Sequence, residues 1–145
     1  MKVVIQRAKN ARVEIDGKVN GKTDNGLVVL VGFTYGDTLE DIEYMVNKIV
    51  NLRIFDDENG VMNKSVLDVN GSILSISQFT LYADTKKGRR PSYVDALKGE
   101  ESTKLYDLFN EKLREQIHTE TGIFGADMQV TLTNDGPVTI IMESR

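Results

Sequence analysis

Residues 26–33 read Gly-Leu-Val-Val-Leu-Val-Gly-Phe, a run without any polar or charged side chain. A half-exposed strand alternates apolar and polar residues, whereas a short continuous apolar run is typical of a strand covered on both faces. The run therefore predicts a central strand, and the rest of the chain has to supply neighbours for both of its edges and both of its faces.

The segments on either side of this run predict further strands and two helices. Residues 3–6 and 11–15 have strand patterns. Asp37, with Glu40 three residues later, opens a helix in the manner of a capping box. A second apolar stripe at helical spacing covers residues 102–118.

The second half of the chain adds strands at residues 72–81, 128–133 and 138–142. The total is about eight strands and two helices, and the helices do not alternate with single strands. This pattern predicts an α+β fold with a mainly antiparallel, barrel-like sheet and two principal helices. The length of 145 residues predicts one domain spanning residues 1–145.

The composition excludes several classes of protein. The chain has no cysteine, which excludes a disulfide framework, a catalytic thiol and a thiolate zinc site. No apolar run approaches the ~20 residues of a membrane span, and charge at Lys2 and Arg7 comes too early for a signal peptide. We therefore expect a cytoplasmic protein without a membrane partner.

Conventional catalytic groups are scarce. His118 is the only histidine, and near the end of a predicted helix its structural role is favoured over catalysis. The carboxylates of residues 56–58 flank a turn, where solvated charge is the default, so neither a metal site nor a cofactor is expected. An enzyme with these residues works with hydroxyls, amides and main-chain N–H groups, which suits hydrolysis of an activated ester.

Three polar segments allow both a structural and a functional interpretation. The first segment is Ser77-Gln78-Phe79-Thr80-Leu81. If it is extended, Gln78 and Thr80 lie on one face, which fits either a strand end with one solvent-exposed face or a functional site. Asn134-Asp135-Gly136-Pro137 is typical of a plain turn. Lys86-Lys87-Gly88-Arg89-Arg90 is either a solvated loop or a local RNA-binding patch, which any RNA partner of a chain with net charge −4 requires.

At these segments the sequence resembles the D-aminoacyl-tRNA deacylases. The two motifs SQxTL and NxGPxT at this separation are specific as a pair. The resemblance extends along the chain, through residues 5–7, 26–32, 53–55, 62–63, 77–81, 88, 90–92, 121–122, 126–130 and 134–139.

The resemblance implies a homodimer whose active sites lie at the subunit interface. It implies that the Gly136-Pro137 bond is cis and reaches into the partner's pocket. There its carbonyls hold the substrate's amino group and leave no room for an L side chain, so that discrimination works by exclusion. The expected reaction is hydrolysis of the ester of D-aminoacyl-tRNA, with glycine mischarged on tRNA as a further substrate.

The resemblance also assigns roles to individual residues. Arg7 would brace the Gly-Pro loop, and Met128 would contribute to the pocket wall. Two mechanisms remain open: Thr80 acts as a nucleophile, or main-chain groups and the substrate's 2′-hydroxyl carry the reaction. The site for the terminal adenosine and the ester would be lined by Ser77, Gln78, Phe79 and Thr80. The tRNA phosphates would be held by Lys86, Lys87, Arg89 and Arg90.

Two other functions fit parts of the sequence. A noncatalytic tRNA- or RNA-binding module on the same fold would explain the basic run and the missing catalytic constellation, but it needs neither motif. A general small-ester hydrolase would not explain the basic run at residues 86–90.

Overall fold

The computed structural model describes residues 1–145 and contains seven strands, two α-helices and one short 3₁₀ helix. Neither α-helix has the length and apolarity that a membrane span requires. The elements in chain order are β1 (Lys2–Ile15), β2 (Lys18–Gly32), α1 (Leu39–Asn51), β3 (Phe55–Asp56), β4 (Met62–Lys64), β5 (Ser72–Ser77), the 3₁₀ helix (Phe79–Tyr82), α2 (Gly99–Arg114), β6 (Thr119–Thr121) and β7 (Gln129–Glu143).

Five strands form one mixed sheet in the order β6-β5-β2-β1-β7, and β3 and β4 form a separate ribbon. β1 is antiparallel to both β2 and β7, whereas β5 is parallel to β2 and to β6. The predicted α+β class and the two principal helices are confirmed. The parallel pairs were not predicted. Parallel neighbours need a long connection: α1 and the β3–β4 ribbon connect β2 to β5, and the 3₁₀ helix, the loop after it and α2 connect β5 to β6. The edge strands β6 and β7 are not hydrogen-bonded to one another.

The apolar run at residues 26–33 lies in the middle of this sheet. Most of it belongs to β2, which is flanked by β1 on one side and by β5 on the other. Leu27, Val28 and Val29 are fully buried. Because successive side chains of a strand point to opposite faces, burial of all three means that both faces of β2 are covered here. The predicted central strand is confirmed.

The two faces of the sheet are covered to different extents. The helices cover one face, where 21 buried residues form the main core. The opposite face carries a smaller cluster of six buried residues. Leu30, Met128, Val130 and Leu132 pack against this second cluster but are only partly buried, so this face stays partly open to solvent.

A row of apolar side chains, here called the open row, crosses the second face. The strand register places Ile141 beside Val4, Val4 beside Leu30, and Leu30 beside Ile76, and residues that are paired in this way lie on the same face. Ile141 is 66% exposed, whereas Ile76 is buried. The open row therefore leads from the free edge of β7 to the end of β5.

Helix α1 begins one residue later than the capping pattern predicts. Its N-cap is Thr38, and the carboxylate of Asp41 accepts the Thr38 main-chain N–H at 2.9 Å. Asp37 instead binds the ammonium group of Met1 at 2.6 Å and the guanidinium of Arg145 at 2.6 Å. Asp37 therefore makes long-range contacts to both chain termini and does not cap the helix as the local pattern predicted.

Other boundaries also differ from the prediction. The strands predicted at residues 3–6 and 11–15 are one strand, because Asn10, at φ 50°, makes an irregularity in β1 without ending its pairing. The last two predicted strands are likewise one strand, β7. Helix α2 ends at Arg114, so His118 lies beyond the helix rather than in its last turn.

Candidate active site

A cavity of about 280 Å³, here called the active pocket, opens at the end of β5. Its apolar floor includes Ile76 and Val130, which belong to the partly open face of the sheet. Of the predicted site residues, four line it: Ser77, Gln78, Phe79 and Met128. The open row thus ends in the cavity that holds the first motif.

The prediction of an extended strand over residues 72–81 is wrong, and with it the alternation of Gln78 and Thr80 on one strand face. β5 ends at Ser77, and a 3₁₀ helix follows. Hydrogen bonding to β2 continues one residue beyond β5, since the Gln78 N–H donates to the carbonyl of Val31 at 2.7 Å, and the chain then enters the 3₁₀ helix. Gly32 permits this approach, since a Cβ on Gly32 would lie 2.8 Å from the carbonyl oxygen of Gln78.

Gln78 and Thr80 are joined by their side chains. The side-chain amide of Gln78 donates to the hydroxyl oxygen of Thr80 at 2.5 Å. Thr80 is half-buried at the rim and does not line the cavity itself. Its hydroxyl oxygen accepts a hydrogen bond and has no general base beside it, so the geometry gives no support to Thr80 as an activated nucleophile.

Main-chain donors are available at the same place. The first amides of a helix have no acceptor within it. Those of Phe79 and Thr80, at the start of the 3₁₀ helix, donate to no side chain and to no carbonyl outside the helices and strands. Two such N–H groups beside a cavity are the kind of donors that stabilise the oxyanion of a tetrahedral intermediate.

No titratable side chain lines the active pocket. His118 lies elsewhere on the surface with its side chain 69% exposed, 2.8 Å from the carboxylate of Glu120. The hydrogen bond from His118 is the main reason why the pKa of Glu120 is lowered. The histidine therefore takes part in a surface pair, and no group of three or more His, Asp or Glu side chains is arranged to hold a metal ion.

The second motif is built around a buried arginine. Arg7 is only 8% exposed, and its guanidinium donates to the carbonyl of Asp135 at 3.0 Å and to that of Ile54 at 2.8 Å. The bond between Gly136 and Pro137 is cis. Arg7 therefore fixes the main chain next to this peptide.

The interpretation of Asn134-Asp135-Gly136-Pro137 as a plain turn is wrong. The segment lies within β7, between Asn134, which pairs with Ala8, and Thr139, which pairs with Gln6. The side chain of Asn134 spans it, because its Oδ1 accepts the Val138 N–H at 3.1 Å and its Nδ2 donates to the Thr139 hydroxyl at 2.9 Å. The segment is a braced protrusion on an edge strand.

Within one chain the two motifs lie apart. Gly136 and Pro137 belong to β7, which β2 and β1 separate from β5 in the sheet, although the first residues of β7 reach the active pocket through Val130. Gly136 and Pro137 are exposed and do not line the active pocket. The structure therefore forms two groups, one around Gln78 and one around Arg7.

The basic run forms the tip of a hairpin-like loop. Two hydrogen bonds between Asp84 and Ser92, at 2.8 and 2.9 Å, close the loop. The four cations at its tip, Lys86, Lys87, Arg89 and Arg90, are all exposed, and Gly88 takes a φ of 66° between them. The loop directly follows the 3₁₀ helix, so this positive charge lies close in sequence to the active pocket.

Sequence reasoning missed part of the pocket wall. Phe124, Gly125 and Ala126, from the loop between β6 and β7, also line the cavity. Ala126 lies in a segment that carries the family resemblance, but Phe124 and Gly125 stand in no motif. Loops without periodicity give no pattern from which such neighbours are found.

Comparison with known proteins places both motifs in one family pattern. Residues 4–143 match the family model described as D-Tyr-tRNA(Tyr) deacylase. Among curated relatives, the chain is 57% identical over 146 residues to the D-aminoacyl-tRNA deacylase of Bacillus cytotoxicus and 58% identical to that of Bacillus cereus, with full coverage of both chains in each case.

Two solved structures share the fold. One is titled "c-Myc DNA Unwinding Element Binding Protein"; it has a TM-score of 0.95 and 42% identity, covering 100% of this chain and 99% of that one. The other is a probable eukaryotic D-amino acid tRNA deacylase with a TM-score of 0.85, 16% identity and 97% coverage of both chains. At that identity the second likeness concerns the fold alone.

Proposed function

The chain belongs to the D-Tyr-tRNA(Tyr) deacylase family, and we propose that it hydrolyses the ester bond of D-aminoacyl-tRNA to release free D-amino acid and tRNA. The observation that carries this proposal is the active pocket at the end of β5, which presents amides and hydroxyls and no titratable side chain. Such groups suit an ester that is already activated, because the protein then has mainly to stabilise the oxyanion.

The proposed mechanism uses the main chain and the substrate. Water attacks the ester carbonyl carbon, and the N–H groups of Phe79 and Thr80 donate to the oxyanion that forms. The tetrahedral intermediate then expels the ribose oxygen, which takes up the proton that the attacking water has lost. The neighbouring ribose hydroxyl of the substrate orients the water. Gln78 holds Thr80 in place through the 2.5 Å hydrogen bond.

The proposed active form is a homodimer in which each Gly136-Pro137 segment completes the partner's pocket. Three features support it: the segment is exposed, it is remote from its own pocket, and the open row offers an apolar surface that leads from β7 to that pocket. Burial of apolar area is the main favourable term in protein association. In a twofold interface both subunits use the same surface, so each Gly136-Pro137 segment can reach the partner's pocket.

Chiral selection follows from this arrangement. A braced main-chain segment facing the α-carbon of the substrate rejects an L side chain by collision, which a rigid wall cannot relax cheaply. Glycine has no side chain to collide. Glycine mischarged on tRNA is therefore proposed as a second substrate of the same pocket.

The proposed tRNA contacts lie on the basic loop. Lys86, Lys87, Arg89 and Arg90 are exposed on the loop that directly follows the 3₁₀ helix, in a chain whose net charge is −4. A local patch of this kind attracts phosphates without reading sequence. The substrate class makes the cytoplasm the proposed location.

The test is turnover of D-tyrosyl-tRNA at substoichiometric protein. Release of many equivalents of D-tyrosine per protein supports the enzyme, and a Gln78→Ala variant should be strongly impaired. Retention of charged tRNA without release would instead support the noncatalytic RNA-binding module. Rapid cleavage of a simple chromogenic ester, with no preference for tRNA, would support the small-ester hydrolase.

A further inference from the structure

A second cavity, here called the aromatic slot, lies beside the active pocket and measures about 400 Å³. Phe79, Phe124 and Gly125 line both cavities. The far side of the slot is formed by Tyr93 and Leu97 and by Lys98, the N-cap of α2. A molecule that leaves the active pocket over this shared wall enters the slot.

The slot presents aromatic surface to solvent. Phe79 is 44% exposed, and its ring lies edge-on to that of Tyr93, with 5.2 Å between centroids and 70° between planes. In an edge-to-face pair one ring keeps a face free. Exposed aromatic faces next to a binding cavity are typical of sites on which nucleobases stack without regard to sequence.

Positive charge flanks the slot. Lys98 is exposed on one side. Tyr93, which also lines the slot, directly follows Ser92, the residue that closes the basic loop. Glu100, in the first turn of α2, is paired with Lys104 at 3.6 Å. The slot thus combines an apolar floor with one lining cation, Lys98, and it lies next in sequence to the basic loop. Aromatic surface beside positive charge is complementary to a single nucleic-acid strand.

We propose that the aromatic slot binds the penultimate nucleotide of the tRNA acceptor strand, with its base stacked on the aromatic side chains. The inference rests on the proposed function and on the terminal adenosine lying in the active pocket, as the family resemblance implies. The nucleotide joined to that adenosine has to lie next to the pocket, and the wall containing Phe79, Phe124 and Gly125 leads there. Since all charged tRNAs share one terminal sequence, a stacking platform is sufficient to hold it.

The test compares two small substrates: the D-tyrosyl ester of adenosine 5′-phosphate and that of the dinucleotide cytidylyl-adenosine. Both carry the phosphate, and only the second carries the additional nucleoside. The wild-type protein should favour the dinucleotide ester in kcat/KM by roughly 5- to 150-fold, the range for one stacked base. Tyr93→Leu should abolish this preference and leave hydrolysis of the adenosine 5′-phosphate ester unchanged, while Tyr93→Phe should retain it.

Lys98→Gln should lower kcat/KM on charged tRNA and flatten its dependence on salt, whereas Lys104→Gln, on the same helix outside the slot, should do neither. Equal wild-type rates on the two small esters would overturn the proposal, as would a Tyr93→Leu variant that loses both activities equally while its Tm is unchanged. If the wild-type protein hydrolyses neither small ester nor D-tyrosyl-tRNA, the proposed function itself fails, and the slot fails with it.

Discussion

The guanidinium Nε of Arg7 donates a hydrogen bond to the main-chain carbonyl of Asp135 over 3.0 Å. The same guanidinium donates to the carbonyl of Ile54, and Asp135 immediately precedes Gly136. A buried cation of β1 therefore holds the exposed protrusion of β7 from beneath. In the proposed dimer, the position of the wall that excludes L side chains depends on this contact.

Arg7→Lys tests the contact. A lysine keeps the charge but lacks the planar fork that reaches both carbonyls, and a lost hydrogen bond of a charged group costs about 2 kcal/mol. We expect the free energy of unfolding to fall by that amount and D-tyrosyl-tRNA deacylation to fall at least tenfold, as measured by urea denaturation and initial rates. Arg12→Lys, at an exposed arginine paired with Glu14, is the matched control. Unchanged activity in Arg7→Lys would show that the brace is dispensable.

Gly32→Ala tests the support beneath the first motif. The added methyl group would lie 2.8 Å from the carbonyl oxygen of Gln78, so the segment that follows β5 has to shift. Overpacking of this kind costs about 1–3 kcal/mol of stability, and the displaced amides should reduce kcat at least tenfold. Val19→Ala, at an exposed position of the same strand, should change neither quantity. A Gly32→Ala protein with normal kcat would contradict the placement of the oxyanion donors.

A heterodimer experiment tests the shared site. Gly136→Ala places a methyl group 2.9 Å from the side chain of Val138 and 3.1 Å from that of Arg7, at a φ of 130° that L residues rarely adopt. A doubly tagged dimer of one Gly136→Ala chain and one Gln78→Ala chain has one intact and one doubly altered site, so it should recover about half of the wild-type rate. Homodimers of either variant should be strongly impaired. A heterodimer as inactive as both parents, or a strict monomer in solution, would refute the cross-subunit site.

Acid stability tests the turn between β3 and β4. The carboxylate of Asp57 accepts the main-chain N–H groups of Val61 and Asn59, and these bonds hold its pKa below the usual 3.8. A lowered pKa in the folded state stabilises the fold above about pH 4, and this contribution is lost as the pH falls through the folded-state pKa. The Tm of Asp57→Asn should therefore depend less on pH between about pH 5 and 3 than that of the wild type. Asp107→Asn, whose carboxylate accepts no hydrogen bond, is the control. If the two variants show the same pH dependence of Tm, the hydrogen bonds of Asp57 do not contribute to acid stability.

The local sequence pattern was sufficient to predict the elements whose burial is visible in their own residues. Residues 26–33 are apolar because β2 is covered on both faces, and the two helices repeat their apolar residues at helical spacing. The errors arose where a distant residue decides the local structure. Gly32 leaves room for the carbonyl of Gln78, so the strand can end there. Arg7 binds the main chain of Asp135, so the Asn-Asp-Gly-Pro segment is held as part of β7 and does not form a separate turn.

The candidate site was found in part for the same reason. The motif residues at 77–79 and Met128 share a cavity, but Phe124 and Gly125 reach it from a loop without a pattern. The separation of Gly136 from Ser77 within one chain is a property of the strand order, which the sequence does not show locally.

The measurement that tests the central claim most directly is deacylation of D-tyrosyl-tRNA and L-tyrosyl-tRNA, side by side, at catalytic amounts of pure protein. The account predicts rapid release of D-tyrosine while the L-ester decays no faster than in buffer. Equal release from both esters would contradict selection by the Gly136-Pro137 segment, and release from neither would contradict the deacylase function.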